Sequence, residues 1–166
     1  VVREGVVAGL LGAAAVAAWF LVVDLIAREP LWTPAALGSA LFQGASGPEE
    51  VRLALSTVLG YTAIHLGGFL LAGMVAAGLV GQVEKFPPLI FALLLLVVVF
   101  EVFFIGLTVA LGEWILESLA WWAVFLGNLL AAAAMGGYLW RSHPVLQEKL
   151  RSGGAWGRSA GPGRPS

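Results

Sequence analysis

Residues 86–111, FPPLIFALLLLVVVFEVFFIGLTVAL, decide the class of this chain. Past Pro87 and Pro88 the stretch is apolar apart from Glu101 near its centre and Thr108 further on. A hydrocarbon core about 30 Å thick is crossed by about 20 apolar helical residues, so the stretch predicts a membrane-spanning helix. A carboxyl at the centre of such a span costs roughly 2.5–3.5 kcal/mol on insertion scales, so Glu101 is expected to face protein or water rather than lipid. The polar groups that other helices place at its depth therefore frame the functional question.

The rest of the chain has the same character: of its 166 residues, 60% are hydrophobic and 11% are charged. Soluble domains are about 45–50% apolar and about 25% charged, which puts this chain among integral membrane proteins. The net charge is −1 and no basic stripe is present, so nucleic acid is excluded as a partner. The absence of cysteine excludes disulfides, thiolate metal sites and cysteine catalysis. The first residue is Val1, which fits trimming, a fragment or an alternative start. Residues 6–25 are too long for a signal-peptide core and lack a cleavage site, so they read as a retained helix.

Working outward from the quoted stretch, the pattern predicts an all-α fold: an integral membrane four-helix bundle with a short interfacial helix between helices 1 and 2. Spans are expected at about 5–26, 52–83, 88–111 and 119–140, making residues 1–144 one transmembrane domain, with 145–166 a flexible cytoplasmic tail rich in Gly, Ser, Arg and Pro. In the first span Gly5, Gly9, Ala13 and Ala17 recur every fourth residue, a small-residue stripe that lets another backbone come close. Gly73, Ala77 and Gly81 repeat the device in the second span, and Ala132, Gly136 and Trp140 in the fourth. Bundle packing and a homodimer seam both account for such stripes. Between the first two spans, Thr33 and Pro34 read as an N-cap with proline at the first helical position, opening the interfacial helix at about 34–42 with Trp32 as its anchor. A second helix start follows at Pro48, with Glu49 and Glu50 in its first turn. A continuous helix from there to Val83 is about 54 Å long and must project or tilt. Residues 113–118 form a brief amphipathic connection into the fourth span.

Orientation follows from Lys and Arg outside the spans. Arg3, Lys85, Arg141, Lys149, Arg151, Arg158 and Arg164 lie on the side of the termini, against Arg28 and Arg52 on the other. Seven against two predicts cytoplasmic N and C termini in an inner membrane. Trp32, Trp114, Trp121 and Trp122 then mark the outer interface and Trp140 the inner one.

Alternating helix directions bring Glu101, His65 and Asn128 to similar depth, and Thr57, Tyr61 and Thr108 towards the outer half. These six form the candidate polar cluster, with Asp24 at its outer lip. Each has a plain and a sharp reading. Asn128 reads as interhelical glue or a ligand contact. His65 reads as a packing residue, a proton-active group or a cofactor ligand. Glu101 reads as a hydrogen-bonded structural acid, a proton-active group or a contact to a partner or ligand. Asp24, four residues before Arg28, reads as an interfacial cap paired with it or as part of a site. No hydrolase triad, zinc-protease helix, phosphate loop or metal-spaced carboxylate set is present, so neither catalysis nor a cofactor is expected.

Residues 20–37, FLVVDLIAREPLWTPAAL, carry Asp24, Pro30, Thr33 and Pro34, and on these the chain resembles an uncharacterised family of small bacterial four-helix integral membrane proteins. The resemblance covers about the first quarter of the chain and implies a bacterial inner-membrane location and four spans, but no activity. The chain lacks the first-helix glutamate of small multidrug exporters and the cysteines of quinone-linked disulfide-forming enzymes. The expected role is a non-catalytic accessory or structural subunit of a larger bacterial membrane complex. Its partners would be the bilayer and other membrane subunits, or a second copy of itself. The alternatives are a small transporter or proton-coupled binding protein using Glu101 and His65, and pigment or haem binding through His65.

Overall fold

The structure, a computed structural model, describes residues 1–83, 85–144 and 147–148. Helices follow in the order α1 (Val2–Ala27), α2 (Trp32–Gln43), α3 (Leu55–Val83), α4 (Ile90–Leu111), α5 (Glu113–Leu119) and α6 (Trp121–Ser142), and no strand occurs among the described residues. Among the described residues four helices are long and apolar enough to cross a membrane: α1, α3, α6 and residues Phe91–Leu111 of α4. The expected tail lies outside the described residues apart from Gln147 and Glu148, as does Glu84 in the turn before α4.

The element on which the others pack is α1, not the span that contains Glu101. Its buried residues, Gly5, Ala8, Gly9, Gly12, Ala13, Val16, Phe20 and Asp24, recur at helical spacing. Helix α3 runs antiparallel along this face. A Cβ added to Gly5 would fall 2.6 Å from the Met74 Cα, and one on Gly9 would fall 2.8 Å from the Leu70 Cα. A Cβ on Gly73 would strike the backbone of Gly5 and Gly9. Lipid tails are as apolar as Leu, so helices in a bilayer associate through close packing, and glycine lets two backbones reach that distance. On another side of α1, Trp19 donates its indole N–H to the Ala123 carbonyl of α6 at 2.8 Å and meets Trp122 edge-on at 6.4 Å.

Helix α4 stands apart from this core. A third of the most apolar window is buried in each of α1, α3 and α6, against 6% in α4. Most of its long aliphatic and aromatic side chains point away from the protein, which suits contact with lipid.

Three expectations change in detail. Helix α2 is packed within the protein: Thr33 and every residue from Ala35 to Ala40 are buried, and Gly38 is pressed against the Thr57 carbonyl of α3. The small side chains of this run let α1, α3 and α5 close around it. The second span is not continuous from Pro48. Pro48–Glu50 is a separate 3₁₀ turn and α3 begins at Leu55, so its 29 residues extend about 44 Å. The break is held by local bonds: the Glu50 carboxylate accepts the Ser46 N–H at 2.8 Å, and the Arg52 N–H donates to the buried Ser39 hydroxyl at 3.2 Å. The fourth span begins at Trp121 rather than near 118–119. Ala120, with φ 56°, separates it from α5, whose Ile115 and Leu119 are buried. Leu31 takes a similar left-handed turn, φ 66°, between α1 and α2.

Candidate functional site

Asp24 lies in the last turn of α1 and is fully buried, so the exposed ion pair with Arg28 is corrected. Its Oδ2 accepts the Thr33 N–H at 2.8 Å and its Oδ1 accepts the Thr33 hydroxyl at 2.6 Å. The first N–H groups of a helix have no partner inside it, and a carboxylate there also favours the helix dipole. Asp24 thus caps α2 from a neighbouring helix. Thr33, expected as the N-cap, sits inside the first turn, and Leu31 takes the cap position. The Arg28 guanidinium turns away, donating to the Ser118 carbonyl of α5 and lying 4.3 Å over the Trp32 ring.

Thr57 and Thr108 are buried and bonded within their own segments. The Thr57 hydroxyl donates to the Ala54 carbonyl at 2.7 Å, close to the start of α3. That of Thr108 donates to the Ile105 carbonyl at 2.8 Å. A hydroxyl that returns to its own helix satisfies itself without adding a contact between helices. Neither residue reaches another member of the expected cluster by a hydrogen bond.

His65 sits one rung along the glycine seam from Gly9. Its Nε2 lies 3.2 Å from the Ala13 carbonyl of α1, and since a carbonyl can only accept, this nitrogen carries the proton. The ring is flanked on α3 by Tyr61, with centroids 5.8 Å apart, and Phe69, at 4.8 Å. Phe69 in turn meets Phe100 of α4 at 6.1 Å. Residues four apart on one helix face produce this aromatic ladder.

Glu101 and Asn128 do come together. The Asn128 Nδ2 donates to the Glu101 Oε2 at 3.0 Å, joining α6 to α4. It is the one hydrogen bond that the Glu101 side chain makes among the described residues. No hydrogen bond links His65 to either of them.

The expected cluster therefore divides into pairs: Asp24 with Thr33, His65 with Ala13, Glu101 with Asn128. What several members share is a cavity. Asp24, Thr33, Tyr61, His65, Thr108 and Asn128 all contribute to the wall of a space of about 280 Å³ between α4 and the α1–α2–α3 side of the protein. Its other walls are mainly aliphatic and aromatic. Among the described residues no three His, Cys, Asp or Glu side chains gather as a metal set would require. The arrangement can hold an apolar guest with a few polar groups at its side.

The glycines also divide. Gly5, Gly9 and Gly73 form the close seam, whereas a Cβ on Gly81 or Gly136 would meet no atom within 4 Å. These last two make no close helix contact. Gly12, Gly38, Gly60 and Gly127 do, and were not singled out by the sequence. A Cβ on Gly12 would fall 2.6 Å from the Met135 Sδ, and one on Gly127 3.0 Å from the Trp19 ring. Ser39, whose hydroxyl accepts from Arg52, was missed as well. The small-residue run around it was the available signal.

No family model, no curated protein and no solved structure matches the chain.

Proposed function

We propose that this chain is a small non-catalytic polytopic membrane protein, an accessory subunit of a larger bacterial membrane complex, and that α4 is the helix it offers to its neighbour. The observation that carries this reading is Glu101. It lies near the middle of the least buried span and is tied to the rest of the chain by one hydrogen bond, from Asn128. A carboxyl in hydrocarbon is costly until its oxygens are satisfied, and a donor on a helix packed against α4 supplies what Asn128 leaves unmet. In this reading the four spans form a bundle in the inner membrane with both termini cytoplasmic, supported by the distribution of Lys and Arg.

The proton-coupled alternative has less support, because His65 and Glu101 are engaged with different partners and no hydrogen bond joins them. Pigment or haem ligation through His65 is left only its Nδ1 while Nε2 donates to Ala13.

The test is a photo-crosslinking side chain at Val98 or Ile105, both exposed and one turn from Glu101. In native membranes a discrete adduct with one protein partner is expected, and Glu101→Leu should abolish it. Adducts with lipid alone, together with a monodisperse monomer from native expression, would sink the proposal.

A further inference from the structure

A second cavity, of about 220 Å³, lies beneath α4 nearer the end that carries the termini, with Ala76 and Val80 of α3, Leu93 of α4, and Ala132 and Gly136 of α6 in its wall. Phe69, Phe100 and Asn128 line both this cavity and the larger one. The two spaces therefore lie end to end about the aromatic ladder, in the gap between α4 and the core. Along α3 its wall runs from Val58 to Val80, a rise of about 33 Å, close to the full thickness of the hydrocarbon core.

Length and charge limit what such a cleft can hold. An engineered protein cavity of about 150 Å³ lined by Leu, Ile and Phe stays dry and takes up benzene, so each half here is large enough for an apolar guest. A phospholipid acyl chain reaches only about half of the 30 Å core, from one leaflet. Among the described residues no Lys or Arg lines either cavity, which leaves a phosphate head without a cationic partner on these walls. The larger cavity has rings on its wall, Tyr61, His65, Phe103 and Phe104 among them, and these suit a flat head group.

We propose that the cleft beneath α4 is a binding site for an isoprenoid quinone, its tail lying lengthwise between α4 and the core and its uncharged head among Tyr61, His65 and the α4 phenylalanines. No motif marks this site, because its walls come from six helices. The proposal is independent of the accessory-subunit reading, since it concerns the inner face of α4 and not the outer one.

Gly68 and Gly136 provide the test. Gly68 lines the larger cavity and Gly136 the smaller, and a Cβ on either meets no atom within 4 Å. Gly68→Leu and Gly136→Leu should fill the space without disturbing the helices. The full chain is purified in mild detergent from a quinone-replete host, and extracted quinone and phospholipid are measured per chain. Wild type should retain quinone well above an unrelated four-span control, and each filled variant should lose it by about tenfold or more, as for added carbons in an apolar pocket. Quinone at control level would overturn the proposal, as would equal amounts in wild type and both variants. Loss of phospholipid instead of quinone would assign the cleft to acyl chains. If a variant does not fold, quenching of tryptophan fluorescence in wild type by added quinone still decides. Trp140 lies on the cavity wall, so saturable quenching is expected, and quenching that only follows partition into the micelle would contradict it.

Discussion

Helix α3 meets α1 on one side and α4 on another, and the two seams are built on opposite principles. Against α1 it presents Gly73 to Gly5 and Gly9, backbone to backbone, and His65 bonds to the Ala13 carbonyl along the same line. Against α4 it presents Ala72, Ala76 and Val80 to the larger Leu93, Leu96 and Phe100, with Phe69 touching Phe100, and the space left between them is a cleft. The difference teaches how a chain without a soluble-type hydrophobic drive divides its work. Where small residues line both helices, packing is close enough to hold them; where only one side is small, helices stay apart and admit something else. The apolar density of α4, which is the highest in the chain, secures its insertion and does not secure its packing.

The strongest way to break this comparison is to put a side chain into the close seam. In Gly9→Leu the new Cβ meets the Phe69 carbonyl and the Leu70 backbone, which cannot turn aside. A loss of about 3 kcal/mol or more is expected in denaturant unfolding from detergent, whereas Gly81→Leu, opening onto empty space, should be nearly neutral. Equal losses would mean that the two classes of glycine are not different.

The next effect belongs to the layer that closes one end of α1 and α3. Asp24→Ala removes the acceptor for both the Thr33 N–H and the Thr33 hydroxyl, leaving the first turn of α2 uncapped in a buried place. A loss of about 2 kcal/mol is expected, at the upper end for a lost helix cap, and faster amide exchange in α2 should accompany it. Unchanged exchange in α2 would show that the small-residue run holds it without Asp24.

The smallest effect is expected on the α4 side. A double-mutant cycle of Glu101→Ala and Asn128→Ala isolates the one side-chain hydrogen bond between α4 and α6. Such bonds in membrane proteins average about 0.6 kcal/mol, and a similar coupling is expected here. A coupling several times larger would make α4 an integral part of the core.

The four spans were legible because solubility in hydrocarbon is a local property of about 20 residues, and each apolar run carries it alone. The depth of Glu101, Asn128 and His65 along their helices was legible for the same reason. Rotation about the helix axis was not. Depth placed His65 beside Glu101, but the ring faces α1, where Gly5 and Gly9 bring the backbone within reach. The small-residue rule found Gly5, Gly9 and Gly73 and failed at Gly81 and Gly136, because a glycine on an empty face has the same spacing as one in a seam. The packing of helix α2 was not legible, because a short, moderately polar segment between spans shows only the composition of an interfacial helix. Its burial depends on Gly38 and Ser39 meeting the start of α3, a contact between segments that composition does not encode.

The central claim is that α3 is fixed to α1 and only loosely held to α4, and inter-helix distance distributions test it most directly. The chain has no native cysteine, so nitroxides at introduced cysteines report alone. Leu10, Leu71 and Leu95 are exposed positions on α1, α3 and α4. In bilayers, the Leu10–Leu71 pair should give one narrow distribution and the Leu71–Leu95 pair a distinctly broader one. Two distributions of equal width, or a narrower one for the α4 pair, would contradict the account.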